Sequence, residues 1–231
     1  MEVIRSTWLT RRPHDRGGIV AAWTVFLMLV GSIFYWRDFF HASAWMSASY
    51  NTVFTQGEYW RLWTTLFAHA DMGHLLSNSL LLFVMGYFLS GYYGVLVFPV
   101  AAIFCGGITN AIVLQSYRPD VNLIGVSGVV YWMGATWLLL YLFVDKQRSY
   151  TQRTLRAIGV ALGVFMPSTA FDPQVSYRAH LVGFVVGLFF AAIYYRLKRD
   201  QFTAAIVTEI VPEEPDLPLP TPEQSESRGL N

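Results

Sequence analysis

The sequence predicts an all-α, polytopic membrane protein of six transmembrane helices, on three observations: composition, the placement of charge, and the length of the uncharged runs. Of 231 residues, 54% are hydrophobic and 13% charged, against roughly 25% charged in an average soluble domain. Residues 17–36, 72–117, 121–144, 157–171 and 179–195 contain no Asp, Glu, Lys or Arg. Apolar runs of this kind are the signature of membrane helices. As one helix, the run 72–117 would be about 69 Å long, more than twice the roughly 30 Å hydrocarbon core, so it is expected to form two.

The elements follow in order. The first span, 17–36, is preceded by Arg11, Arg12 and Arg16, but its 20 apolar residues exceed the roughly 7 to 15 of a cleavable signal, so a retained helix is expected. Spans two and three, 74–90 and 94–115, are separated by Ser90-Gly91-Tyr92-Tyr93-Gly94, whose small residues let the chain turn. Spans four, five and six are expected at 127–144, 155–171 and 179–196. Basic residues cluster in three places: Arg5 to Arg16; Lys146, Arg148, Arg153 and Arg156; and Arg196, Lys198 and Arg199. Six spans with both termini inside put all three clusters on the cytoplasmic side, as the positive-inside rule requires.

Three regions result: a cytoplasmic segment 1–16, a membrane domain 17–197 and a tail 198–231. The outer loop 37–73 is rich in aromatic residues, including Phe39, Phe40, Trp45, Trp60 and Trp63, and is expected to lie in the bilayer interface. The tail is acidic and proline-rich, with Glu213, Glu214, Asp216, Pro218, Pro220 and Pro222, and is expected to be disordered. No internal repeat is evident, which disfavours a transporter built from duplicated halves.

Absences narrow the chemistry. A net charge of +1 without a basic stripe makes nucleic acid an unexpected partner. A single cysteine, Cys105, excludes a multi-cysteine metal site and an internal disulfide. No carboxylate lies inside a span, so membrane aspartate pairs, carboxylate proton relays and a zinc-binding His-Glu-x-x-His helix are missing. His69 and His74 are five residues apart with no acidic or thiolate ligand beside them, so neither metal nor cofactor is expected.

What remains is a serine between glycines and a few histidines. Ser127 stands in Gly125-Val126-Ser127-Gly128 at the start of span four, where the glycines allow a tight backbone and close approach of a carbonyl to the hydroxyl. Alone, such a serine more often packs against a neighbouring helix or bonds a backbone carbonyl. His180 is the only histidine in the last four spans and opens span six in Ala-His-Leu-Val-Gly. Positions 180, 183 and 187 share a helical face, so Gly183 and Gly187 can bring that face against another helix. Spans four and six start on the same side, which puts Ser127 and His180 at similar depth. A lone histidine here could equally bond a carbonyl across helices. His74 and Asn78, four apart at the outer end of span two, share a face and can donate hydrogen bonds, as an oxyanion hole demands.

Taken together these residues resemble the rhomboid family of intramembrane serine proteases. The family pattern is His, four residues, His, three residues, Asn at helix two; Gly-x-Ser-Gly at helix four; and Ala-His-x-x-Gly at helix six. All three occur here in order, at His69, His74 and Asn78, at Gly125 to Gly128, and at Ala179 to Gly183. The likeness runs from about Trp60 to Tyr195. It also implies that Trp60-Arg61 steadies the first loop and that Tyr131 stacks on the imidazole of His180. A glutamate that rhomboids often carry twelve residues after the asparagine is Ser90 here.

The resemblance implies a six-helix rhomboid-like bundle that hydrolyses peptide bonds in or near transmembrane segments by a Ser-His dyad. Ser127 would be the nucleophile and His180 the base, with the oxyanion held by His74, Asn78 and the Ser127 amide. Gly125, Tyr131 and Gly183 would support them. The implied partners are transmembrane protein substrates within a lipid bilayer. The implied setting is a bacterial cytoplasmic membrane, with the site toward the outer face and lateral entry past span five, whose run ends in Met166-Pro167. The alternative is a catalytically inactive rhomboid-like protein that binds membrane clients.

Overall fold

A computed structural model describes residues 2–165 and 176–211 of the chain. Among these, five helices are long and apolar enough to cross a membrane: α1 (Arg16–Trp36), α2 (Met72–Tyr93), α3 (Leu96–Leu114), α4 (Ser127–Val144) and α6 (Tyr177–Ala204). Between the last two, α5 (Tyr150–Val160) continues as a wider turn over Ala161–Phe165. The remainder of the fifth expected span, including Met166 and Pro167, lies outside the described residues. So does the tail beyond residue 211.

Two boundaries are corrected. The α2 helix does not break at Ser90; it runs on to Tyr93 and stops at Gly94, whose φ of 87° lies in the left-handed region that glycine adopts without strain. Gly91 lies within the helix, and Pro13 packs so closely against it that a side chain would have no room. The last helix continues past residue 196 to Ala204. Val207–Ile210 then form β2, which pairs antiparallel with β1 (Glu2–Ser6). Residues 198–211, expected to be disordered, are therefore helix and strand. Phe202 drives this: it is buried among Trp8, Tyr93, Tyr194 and Tyr195, so the apolar face of the helix outlasts the uncharged run.

At the core is α4, the most buried of the five long helices, with Trp132, Met133, Ala135 and Leu140 wholly inaccessible. Its most extensive packing is against α6. In a membrane, helices associate through close packing of small residues rather than hydrophobic drive. Here a Cβ on Gly183 would strike the Gly128 carbonyl, and one on Gly187 the Trp132 carbonyl. On the far side of the bundle, α1 packs along α2, where Gly17 lies against Gly91 and Gly31 against Phe67.

All three basic clusters meet at one end of the bundle. There Trp8 donates to the Tyr92 carbonyl (3.0 Å), and Gln147 donates to the Arg5 carbonyl (2.8 Å). Ser127 and Tyr177 open α4 and α6 at the other end. Little holds α5: only Ala157 is buried, while Leu155 and Leu162 are exposed.

The tight α4–α6 approach carries a prediction. Gly183→Ala forces a methyl group into backbone that has no flexible side chain to yield, and should cost about 1–3 kcal/mol. Gly159→Ala in α5, with open space around it among the described residues, should leave stability unchanged or raise it by up to about 1 kcal/mol. Thermal unfolding in detergent distinguishes them; equal midpoints would show that the helices do not depend on this approach.

Candidate active site

Ser127 is the first residue of α4, half-buried, and no side chain caps the helix there. The Val129 amide turns back to the Val126 carbonyl (2.9 Å), which leaves the Ser127 and Gly128 amides for a ligand, and the helix dipole favours negative charge beside them. The turn that delivers Ser127 is built by Gly125, at φ 109°, whose amide donates to the Thr65 carbonyl (3.0 Å). The Thr65 hydroxyl donates to the Leu123 carbonyl. Ala48 and Leu123 pair backbone to backbone, at 3.2 and 2.7 Å. The loop between α1 and α2 therefore braces the segment leading into Ser127.

That loop is held by one cation. Arg61 is 6% exposed, pairs with Glu58 at 2.5 Å and donates to the carbonyls of Ala44 (2.7 Å) and Ser47 (2.9 Å). It ties two stretches of the loop together, 44–47 and 58–61, as the resemblance implied. Trp60 is exposed and makes no such bond, though its surface position suits an interfacial ring.

His180 lies in the first turn of α6. Its ring stacks on Tyr131, centroids 4.0 Å apart and planes 11° from parallel, one turn into α4 from Ser127. Its neighbour Ala179 touches Gly128, whose added Cβ would lie 3.3 Å from the Ala179 carbonyl oxygen. The start of α6 is secured by Ser176, which accepts from the Ala179 amide (3.1 Å) and meets the Tyr117 hydroxyl at 2.5 Å. Nδ1 of His180 is buried without a hydrogen-bond partner, and no hydrogen bond joins Ser127 to His180 among the described residues.

His74 closes the third side. A Cβ on Gly125 would be 2.8 Å from its ring, so the imidazole lies over the glycine turn two residues before Ser127. Asp71 caps α2 by accepting from the His74 amide (2.8 Å). Asn78, buried, donates through Nδ2 to the His74 carbonyl (3.0 Å), on the shared face that the spacing of four predicts. Its amide has a second N–H to offer.

The structure thus gathers Ser127, His180, Tyr131, Gly125, His74 and Gly183 at one end of the bundle, with Asn78 one turn deeper. No group of three metal-binding side chains occurs among the described residues. Sequence reasoning missed the braces. His69 is fully buried, with Nδ1 3.0 Å from the Ser32 hydroxyl, its carbonyl accepting from Trp36 (2.7 Å), and its ring edge-on to His74 at 5.1 Å. Ser32 and Trp36 carry no motif that could have announced this. Ser90 is buried at the opposite end of α2, remote from the site.

With fold and geometry in place, comparison defines the class. A model of the rhomboid domain matches residues 56–197, more than half the chain, and the protein belongs to the rhomboid family. It is an integral membrane protein of that family. Among curated relatives, it is 25% identical over 184 residues to the "Putative rhomboid protease YdcA" of Bacillus subtilis, covering 78% of this chain and 86% of that one. It is 28% identical over 171 residues to the rhomboid protease GluP of the same organism, covering 71% of this chain and 32% of GluP. To the rhomboid protease GlpG of Haemophilus influenzae it is 27% identical over 150 residues, covering 62% of this chain and 73% of that one.

Burial holds the His69 imidazole down, to about 4, from its ordinary 6.5. Folded His69 therefore stays neutral where the unfolded chain already binds a proton. Stability should be full above pH 6.5 and fall as pH drops toward 4, by up to roughly 3 kcal/mol. Unfolding midpoints measured from pH 7.5 to 4.5 should show this decline, and His69→Asn should flatten it while lowering the midpoint at pH 7.5.

Proposed function

We propose that the protein is an intramembrane serine endopeptidase that cuts transmembrane substrates with a dyad of Ser127 and His180. The observation that carries this reading is the stacking of His180 on Tyr131 beside the uncapped start of α4. The imidazole is oriented by a ring, with no carboxylate bonded to it among the described residues, and Ser127 lies one turn back along α4 from that ring.

His180 takes the proton of Ser127 as Oγ attacks the scissile carbonyl, then returns it to the leaving amine. Catalytic hydrogen bonds are often long before substrate binds, so the missing Ser127–His180 bond is compatible with this role. The oxyanion is held by the Ser127 amide, His74 and Asn78, with the α4 dipole adding to them. The close approach of His74 to Gly125 keeps that donor against the nucleophile's turn. A substrate helix must unwind before its peptide bonds become accessible, so segments with Gly, Pro or Ser near this end of the bundle should be preferred.

Entry past α5 is favoured by its sparse packing, with Leu155, Ile158 and Leu162 turned outward. The meeting of the three basic clusters at the opposite end favours a bacterial cytoplasmic membrane orientation with that end inside and the site outward.

A fluorophosphonate probe tests the dyad without knowledge of the substrate. Wild type in lipid should label, Ser127→Ala should not, and His180→Ala should label at least about 100-fold more slowly, the lower end for loss of a general base. Absence of labelling in the wild type would favour a catalytically inactive client-binding protein. In the same assay Gly125→Ala, which strains the turn and presses on His74, should lower the labelling rate about 5- to 30-fold, on a strain of about 1–2 kcal/mol.

A further inference from the structure

At the end of the bundle away from Ser127, an apolar groove is edged by two arginines, Arg196 and Arg199, with Lys146 and Arg153 close by. The groove encloses about 500 Å³ and runs between α4 and α6, lined by Phe143, Phe189, Ile193 and Tyr195 and closed by Arg196 and Arg199. Phe143 and Tyr195 stack at 4.8 Å to form its wall. Lys146, just beyond α4, is near enough to Arg153 and Arg199 that burial and these two charges lower its ammonium below its ordinary value. None of Lys146, Arg153, Arg196 and Arg199 has a carboxylate partner among the described residues. Arg153 donates to the Leu142 carbonyl (2.5 Å), while its Nε is buried with no acceptor.

Lys146 lies within electrostatic reach of Arg153 and Arg199, and Arg196 and Arg199 share the groove, so an anion that joins these like charges relieves their mutual repulsion. The groove also lies at the right depth. Arg196 and Arg199 follow His180 by 16 and 19 residues, about 24 and 28 Å along a helix, close to the roughly 30 Å of the hydrocarbon core. The cations are thus at the membrane interface, and the groove beneath them opens toward the acyl chains. We infer that this groove is a binding site for an anionic phospholipid, its phosphate among Lys146, Arg153, Arg196 and Arg199 and an acyl chain along Phe143, Phe189 and Ile193. Basic pockets between membrane helices on the cytoplasmic side commonly take such headgroups. The inference is independent of what Ser127 does.

The test is lipid retention by the delipidated full chain. The protein is incubated with equimolar dioleoyl phosphatidylglycerol and dioleoyl phosphatidylcholine and examined by native mass spectrometry. Phosphatidylglycerol should be retained preferentially, and Arg196→Gln/Arg199→Gln should weaken its retention about 30-fold, at about 1 kcal/mol per arginine. Arg11→Gln/Arg12→Gln removes equal charge from the same end at exposed positions outside the groove and should change retention little. Phosphatidylglycerol should also raise the unfolding midpoint of wild type and of the Arg11/Arg12 variant but not of the Arg196/Arg199 variant. Equal loss in both double variants would mean a diffuse surface attraction and overturn the site. Equal retention of the two lipids would overturn it as well, as would retention that appears only after removal of the acidic residues 212–231.

Discussion

Everything at the candidate site depends on how closely α4 approaches α6. Backbone meets backbone where Gly183 lies on the Gly128 carbonyl and Gly187 on the Trp132 carbonyl. Between lipid-solvated helices no hydrophobic gain favours one pairing over another, so contact at this range, with its dispersion and its fit, decides the partner. It also fixes relative height. Residues 128 and 183 are locked together, and their neighbours 127 and 180 are carried to the same level at the same end. Stacking of Tyr131 on His180 is a consequence of that register, since the ring one turn along α4 can meet only what α6 presents at that depth.

The second constraint is polar. A serine presented at a helix start near the membrane surface needs its backbone held from outside the helix. Thr65 does this through the Gly125 amide and the Leu123 carbonyl, and Arg61 holds the loop that carries Thr65. Buried backbone groups of irregular segments must find partners, and here the partners come from the same loop that the sequence marks as aromatic and interfacial. Its rings face outward at Phe40, Tyr59 and Trp60, while its polar groups turn in. One segment thus serves as a membrane-facing cover and as a brace for the turn before Ser127.

Five of the six expected spans, and the grouping of the candidate site residues at one end of the bundle, were legible because each leaves a local signal. Charge-free runs mark helices, and the motifs around Ser127, His180, His74 and Asn78 have fixed short spacings. The end of the second span was misjudged by three residues because glycine and serine within Ser90–Gly94 all read as turn-formers, and the close packing of Gly91 against Pro13 leaves no local trace. The β1–β2 pair escaped because its two strands are separated by nearly the whole chain, and four or five residues of strand carry too little pattern. Ser32, Trp36 and Thr65 escaped for a related reason. Each acts through one or two bonds to residues 33 to 60 positions away, and a single polar residue in an apolar run carries no record of its partner.

Rigidity is unevenly distributed across this fold, and the distribution follows from residue size. Where α4, α6, α1 and α2 meet, glycine brings backbones together and each interface admits one register. Gly159 of α5 and Gly163 of the turn that continues it meet nothing among the described residues; with Leu155, Ile158 and Leu162 turned outward, this segment is held there mainly by Ala157 and by Arg153 at its base. A helix without a close-packed seam among the described residues can move at small cost. The site groups sit on the seamed helices and on the loop braced against them, so a shift of α5 leaves the α4–α6 register undisturbed.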